Sequence, residues 1–339
     1  MRTKKTKSLL VDGNNLMKIG FHGMKAYLHN NENIGGIWYF ISTLRTFLEQ
    51  YNYDKVIVFW DGHESWKKRR LIYANYKLNR GGSIVPEDEH VFYSQCNRVK
   101  QYLEEIYVRQ IISDNCEADD LIAYYCKVSE NETKTIISSD SDLQQLVSED
   151  VQVYAPMHKK MYGYGDKYKI SDVLLPNFNI KTFKIICGDV RDNIDGISSL
   201  GVKTLIKLFP ELLERKVEID DILVRADELL KENKSSIVLK NILTGKTKTG
   251  IYGDEFYLIN NKIINLDEPL LDDDVKGIIF EHYSDNLDPE GRDHKKLMKM
   301  MIDDGIFKLL PKADDAWVNF FKPFLKLSRK EKQKFNKKN

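Results

Sequence analysis

Nine acidic residues of this chain sit in five short motifs: Asp12; Asp61; Glu117, Asp119 and Asp120; Asp140 and Asp142; Asp189 and Asp192. The motif strings contain one basic residue, Arg191. Carboxylates brought together repel: two of them about 4 Å apart cost ~4 kcal/mol at an effective dielectric near 20. Nearby lysines do not obviously offset that repulsion, whereas divalent cations would. Ligands that are all oxygen, without His or thiolate, select Mg²⁺ or Mn²⁺ rather than Zn²⁺. Two such ions roughly 4 Å apart are the usual arrangement for hydrolysing a phosphodiester. Each acid also has an ordinary reading. A strand-end Asp is commonly a turn or N-cap residue. Acids in the first turn of a helix favour its positive end. Capping needs one or two acids rather than the three at 117–120, and a structural ion needs fewer than nine.

Residues 64–80 read ESWKKRRLIYANYKLNR, with Lys67, Lys68, Arg69, Arg70, Lys77 and Arg80 against Glu64 alone. A basic run is by default a solvated helix face. Here it follows Asp61 directly and is interleaved with Trp66, Tyr73 and Tyr76. Bases neutralise phosphates and aromatic faces stack unpaired bases, so this segment is the candidate grip for a single strand beside the acids. The segment Ile185–Phe209 reads helix, glycine turn, helix. Gly196 and Gly201 permit positive φ, and the N–H groups near Gly201, with Lys203 beside them, suit a phosphate. The alternative is an ordinary helix connection. Gly245-Lys246-Thr247 looks like the end of a P-loop, but position 240 is Lys240 where a glycine is required. Nucleotide binding there is rejected.

The elements that must position these groups follow from apolar patterning. Ser8–Val11, Val56–Trp60, Thr135–Ile137 and Val151–Tyr154 are short apolar or β-branched runs bounded by turn residues. Such runs predict parallel strands covered on both faces. Three of them lead into Asp12, Asp61 and Asp140, and ligands bind outside the carboxyl ends of strands in open α/β sheets. Ile37–Leu48, Pro86–Tyr107 and Glu117–Val128 have helical spacing. The predicted fold is α/β: a mostly parallel βαβ sheet flanked by helices over residues 1–165, with a basic helical segment at 62–115. A helical region at 166–320 follows, with a helix-turn-helix at 180–210. The tail at 321–339 is basic, and we expect it to be disordered.

Composition bounds the rest. The chain has 339 residues, enough for two domains or one large domain with an appendage. Lys+Arg is 52 against Asp+Glu 51, a net charge of +1. That excludes a uniformly basic coat protein but leaves room for opposed local patches. No apolar run reaches the length of a membrane span, and Leu9–Val11 is too short for a signal-peptide core. The cysteines Cys96, Cys116, Cys126 and Cys187 form no C-x-x-C pair. They read as reduced thiols of a cytoplasmic protein. The histidines lack the H-x-x-x-H spacing of a zinc hydrolase.

Taken in order, six strings resemble the 5′-nuclease, or flap endonuclease, superfamily: VDGNNL (Val11–Leu16), FWDG (Phe59–Gly62), RRLIYANYKLNR (Arg69–Arg80), CEADD (Cys116–Asp120), SSDSDLQQL (Ser138–Leu146) and GDVRDNIDGISSLG (Gly188–Gly201). Within it the chain looks most like the T-even phage type of ribonuclease H, a branch of 5′→3′ exonucleases, particularly at PMHKK (Pro156–Lys160). The resemblance covers residues 8 to about 210. It implies a Mg²⁺-dependent, structure-specific 5′ nuclease, with Mn²⁺ able to substitute. Such an enzyme removes RNA primers and 5′ flaps during DNA replication by two-metal hydrolysis, with water as the nucleophile. It implies a first metal site at Asp12, Asp61, Glu117, Asp119 and Asp140. A second would lie at Asp142, Asp189 and Asp192, with Asp120. Arg69 and Lys77 would contact the scissile phosphate, with Arg80 beside them, and Tyr76 would stack the terminal base. Gly188–Gly201 would hold downstream duplex, with K⁺ as a ligand of the turn. The implied partners are DNA with a 5′ flap or 5′ end, RNA–DNA hybrid and, for residues 211–339, single-strand-binding protein. A monomer in the host bacterial cytoplasm, without membrane attachment, is the matching expectation. Two departures stand out: Ser141 replaces a common glycine, and Gly81–Glu89 has few bases for an arch over the strand. A ribonuclease of the PIN type and a non-catalytic branched-DNA-binding protein are the rival readings. The first would lack Gly188–Gly201, and the second would have lost acids.

Overall fold

The computed structural model describes residues 5–79, 86–170, 172–232, 234–284, 287–312 and 315–338. Arg80 and part of the Gly81–Glu89 segment therefore lie outside the described residues.

The chain opens with β1 (Thr6–Asp12) and α1 (Gly13–Gly23), followed by a small ribbon of β2 (Leu28–His29) and β3 (Glu32–Asn33). Next come α2 (Gly35–Gln50), β4 (Lys55–Asp61), α3 (Lys67–Ile72), α4 (Pro86–Glu104) and β5 (Arg109–Ser113). After them run α5 (Ala118–Val128), β6 (Glu132–Ile137), β7 (Val151–Ala155) and β8 (Lys160–Tyr162). Six strands form one sheet in the order β5-β4-β1-β6-β7-β8, parallel except for β8. The three acid-bearing strands β4, β1 and β6 are thus neighbours, so Asp12, Asp61 and Asp140 share one rim.

Continuous apolar strands arise because both faces are buried. Leu9, Val11, Val56, Val58 and Trp60 face one core, with α1, α2 and α4. Leu10, Ile57, Phe59 and Ile136 face the other, with α5. β5 has only a weak apolar signature, because Ile111 and Ile112 stand between Arg109, Gln110 and Ser113. The PMHKK string is the turn between antiparallel β7 and β8.

Beyond the sheet lies a ribbon of β9 (Lys167–Ile170) and β10 (Val173–Pro176). The helices α6 (Ile180–Cys187), α7 (Val202–Leu208), α8 (Ile219–Glu232) and α9 (Ile237–Leu243) then build a separate apolar cluster. Four more helices follow: α10 (Asp254–Ile264), α11 (Asp273–Ser284), α12 (His294–Asp303) and α13 (Ala316–Lys338). Residues 166–320 are therefore not one helical unit. Val275 and Ile279 of α11 pack on the α5 face, and Leu297 and Met301 of α12 pack on the α2 face.

The basic tail is a correction to the sequence-based expectation. It forms a helix, docked through Phe320, Phe321, Phe324 and Leu327, all buried. Its Glu331 is fully buried against Arg109 of β5, at 3.1 and 3.2 Å. Pro323 lies inside the helix and cannot donate to the carbonyl of Asn319. Arg45 of α2 donates to that carbonyl at 3.4 Å. The charge count concealed an apolar stripe spaced at i, i+1, i+4 and i+7.

Candidate metal centre and nucleic-acid interface

Asp12 ends β1 and caps α1, its Oδ1 accepting the Asn15 N–H at 3.1 Å. Its Oδ2 accepts the Ser138 hydroxyl at 2.8 Å. Asp61 ends β4 and accepts the Ala118 N–H at 2.9 Å, so it anchors the start of α5. Asp140 follows β6 and accepts the Asp142 N–H at 3.0 Å. Asn14 and Asn15 knit the rim together. Asn14 accepts the Asp61 N–H at 3.1 Å and Asn15 accepts the Ser139 N–H at 2.9 Å. Gly62 must be glycine, since a Cβ there would fall 1.8 Å from the Ser113 carbonyl oxygen.

Five acids, Asp12, Asp61, Glu117, Asp119 and Asp140, line one cavity of about 220 Å³. These are the residues that the resemblance assigned to the first metal. Their electrostatics fit a cation. Burial, then Asp61, pushes the Asp12 carboxyl up to about 7. Burial and Glu117 likewise raise Asp61. Burial raises Asp119 strongly, although Arg69 pulls the other way. Glu117 behaves differently: burial opposes its charge, yet Lys77 and Arg69 hold it down at about 2. Among the described residues, Glu117, Asp119 and Asp120 are the one acidic group whose ligand oxygens all lie within 4.8 Å of one another.

The second set meets at a narrow cleft lined by Asp119, Asp142, Asp189 and Asp192. Here the sequence reading missed a residue. Lys184 of α6 is buried, bonds Asp142, and reaches Asp189 at 2.7 Å. A protein ammonium thus already stands between two of the acids. Burial still raises Asp142 to about 6, despite Lys184. At Asp189 burial is outweighed by Lys184, and its carboxyl is lowered. Lys184 precedes Asp189 by little more than one helical turn, but nothing in its own neighbourhood announces that α6 turns it inward. Asp120 lines neither cavity, although its carboxylate lies within 4.8 Å of those of Glu117 and Asp119. Its carboxylate is occupied by Arg69, at 2.6 and 3.1 Å, and by the Leu270 N–H at 3.1 Å.

The basic segment divides. Arg69 is buried, bridging Glu117 at 2.8 Å and donating to the Ile263 carbonyl at 2.9 Å. Tyr76 is also buried, its hydroxyl reaching Glu117 at 2.9 Å and Asp192 at 3.3 Å. Neither presents a free face to a nucleic acid, because the acids that Arg69 pairs with and Tyr76 hydrogen-bonds are themselves inside. Lys68 bridges Asp272 at 2.7 Å. Lys67, on the exposed side, bridges Glu64 at 3.1 Å. Lys77 reaches Glu117 at 2.5 Å and lines the acidic cavity. Arg70 lies 4.0 Å from the Trp66 ring centroid, on the wall of an adjoining cavity.

In the 188–201 turn, Gly196 serves a close approach: a Cβ would lie 2.0 Å from the Cys187 carbonyl oxygen. Gly201 opens α7 with free space around it, and Lys203 is exposed beside it. Gly245 is a positive-φ glycine packed against Gly253, consistent with rejecting a P-loop. The four cysteines are free.

Comparisons with known proteins agree with this geometry. Residues 7–172 match the 5′-3′ exonuclease N-terminal, resolvase-like domain. A 5′-3′ exonuclease of Halalkalibacterium halodurans is 28% identical over 286 residues, covering 78% of this chain and 91% of that protein. DNA polymerase I of Rhizobium leguminosarum is 30% identical over 253 residues, covering 71% of this chain. The chain spans only 24% of that polymerase's length. Among solved structures, T5 5′-exonuclease with zinc bound superposes with a TM-score of 0.60 at 19% identity, covering 88% of this chain and 98% of that one. The bacteriophage T5 flap endonuclease, in a pseudo-enzyme–product complex with DNA and metal ions, gives 0.59 at 20% identity, covering 88% and 97%. The sheet, the acidic rim and these likenesses define a phosphodiesterase fold of the exonuclease type. Residues 7–172 match the 5′-3′ exonuclease N-terminal domain family, and the relatives and the fold support the 5′-nuclease superfamily.

Proposed function

We propose that this chain is a Mg²⁺-dependent, structure-specific 5′ nuclease. It cuts 5′ flaps and the RNA strand of RNA–DNA hybrids, and so clears primers and flaps during DNA replication. The observation that carries this reading is the convergence of five carboxylates on one cavity, beside a wall of bases and aromatics. Asp12, Asp61, Glu117, Asp119 and Asp140 would hold one ion. Asp142, Asp189 and Asp192 would hold the second, with Lys184 ceding part of its contact. When bound, divalent ions would lower the pKa of the attacking water and stabilise the negative charge that builds on the phosphoryl and leaving oxygens.

The chain's own groups supply the rest. Lys77, which lines both the acidic cavity and the one beside it, would orient a phosphate. Arg69 and Tyr76 act from behind as positioning residues, fixing Glu117 in place. The 188–201 turn with Lys203 would hold duplex backbone, with K⁺ as a ligand of the turn. Single-strand-binding protein is the proposed partner of residues 211–339, and a monomer in the bacterial cytoplasm the proposed setting. No helix among the described residues is long and apolar enough to cross a membrane.

Labelling the same RNA–DNA hybrid and flap substrate at the 5′ or 3′ end tests the polarity. Short 5′-labelled products in Mg²⁺, none in EDTA, are expected. Tight structure-selective binding without cutting in Mg²⁺ or Mn²⁺ would favour a non-catalytic binder.

A further inference from the structure

A cavity of about 610 Å³ adjoins the acidic rim between α1, α3 and α4. One wall is the basic–aromatic segment, with Trp66, Arg70 and Lys77. Other elements contribute Lys18 of α1 and, from α4, Tyr93 and Lys100 together with Glu89. Lys18 lines the acidic cavity as well, so it stands on the border between the two. Its side chain is exposed, and no carboxylate bridges it among the described residues. It acts on Asp61 only through space. By contrast, Lys67, Lys77 and Lys184 are each engaged by an acid. Lys100 lies 5.1 Å from the Trp60 ring centroid, and Tyr93 is half exposed.

A polyanion crossing from this larger cavity to the acidic rim meets carboxylate repulsion at that border. A lysine there neutralises one phosphate, and an aromatic face beside it can stack an unpaired base. A strand that ends at the rim has no phosphate at this position, whereas a 5′ extension does.

We propose that Lys18 is a specificity-determining residue. It holds a backbone phosphate of the unpaired 5′ extension of the substrate, and Tyr93 and Lys100 continue the same wall. This rests on the nuclease reading above for its substrate class. The test is binding in EDTA, where nothing is cut. Fluorescence anisotropy compares an RNA–DNA hybrid carrying a 5′ single-stranded extension with the same hybrid made flush. Lys18→Ala should weaken the extended substrate about 3–10-fold, and reduce the slope of log K against log salt by about 0.7, one single-strand phosphate contact. The flush hybrid should bind as before, and Lys18→Arg should restore the extended one. Equal loss on both substrates, or no loss on either, would overturn the assignment. So would unchanged affinity with a shifted Mg²⁺ requirement for cleavage, which would make Lys18 a counter-charge to Asp61. Failure of the wild type to cut in Mg²⁺ would count against the nuclease reading, while the EDTA binding data would still decide Lys18.

Discussion

Asp12 uses one carboxylate for two purposes, capping α1 with Oδ1 and taking the Ser138 hydroxyl with Oδ2, while facing Asp61 and Asp140. Asn is an equally good N-cap. In chelator, Asp12→Asn should therefore keep the helix, relieve the repulsion and raise Tm by about 2 °C or more. Cleavage should fall at least about 100-fold. A lowered Tm in EDTA would mean that the acids are not in conflict. Lys184 gives the converse case. Lys184→Ala leaves Asp142 and Asp189 facing each other and should cost the metal-free protein about 3 kcal/mol in urea unfolding. Added Mg²⁺ should narrow that deficit, and an identical deficit with and without Mg²⁺ would exclude an ion there. At this scale the acids were legible because residue type and order alone disclose them. Arg69 and Tyr76 were read as substrate contacts because their burial depends on α10 and on the 188–201 turn, which no local spacing reveals.

At the scale of elements, the strands were legible from continuous apolar runs, and their adjacency then put three aspartates on one rim. Helix α13 was not legible, because its charges outnumber the apolar positions that dock it. Two of those charges are structural. Glu331→Ala would remove the paired carboxylate from Arg109 at a buried site, which should cost about 3 kcal/mol. A loss under 1 kcal/mol would place the helix end in solvent. Asp54 receives Lys330 at 2.8 Å and the Lys7 N–H at 3.1 Å. Burial opposes its charge, but these partners prevail and hold its carboxyl below the ordinary 3.8. A depressed folded value means that the stabilisation is complete above the unfolded value and is lost as pH falls through the folded one. The stability gap between wild type and Asp54→Asn should thus be flat above about pH 5 and close below pH 4. A gap that widens with acid would reverse the sign of the argument.

Over the whole molecule, a net charge of +1 hides a local imbalance: five acids against Lys18 and Lys77 line the rim cavity, whereas in the cavity beside it Lys18, Arg70, Lys77 and Lys100 meet Asp61, Glu64, Glu89 and Glu117. The chain closes on itself through α11, α12 and α13, which return to cover both faces of the sheet that carries the rim. The sequence reading divided the chain at about residue 165 because the alternation of apolar strands and helices ends there. The returning helices carry none of the motif acids; they dock through apolar contacts (for example Phe324 with the α2 face) and through ion pairs such as Glu331 with Arg109, whose partners lie far earlier in the chain.

The most direct test of the central claim pairs cleavage with binding in one variant. Wild type and Asp140→Asn would be incubated with a 5′-labelled flap substrate in Mg²⁺, and the affinity of each for that substrate measured in EDTA. The acidic rim as the seat of metal-assisted hydrolysis predicts short 5′ products from the wild type only, with the variant binding as tightly or more tightly. Undiminished cutting by Asp140→Asn, or cutting by the wild type in EDTA, would contradict it.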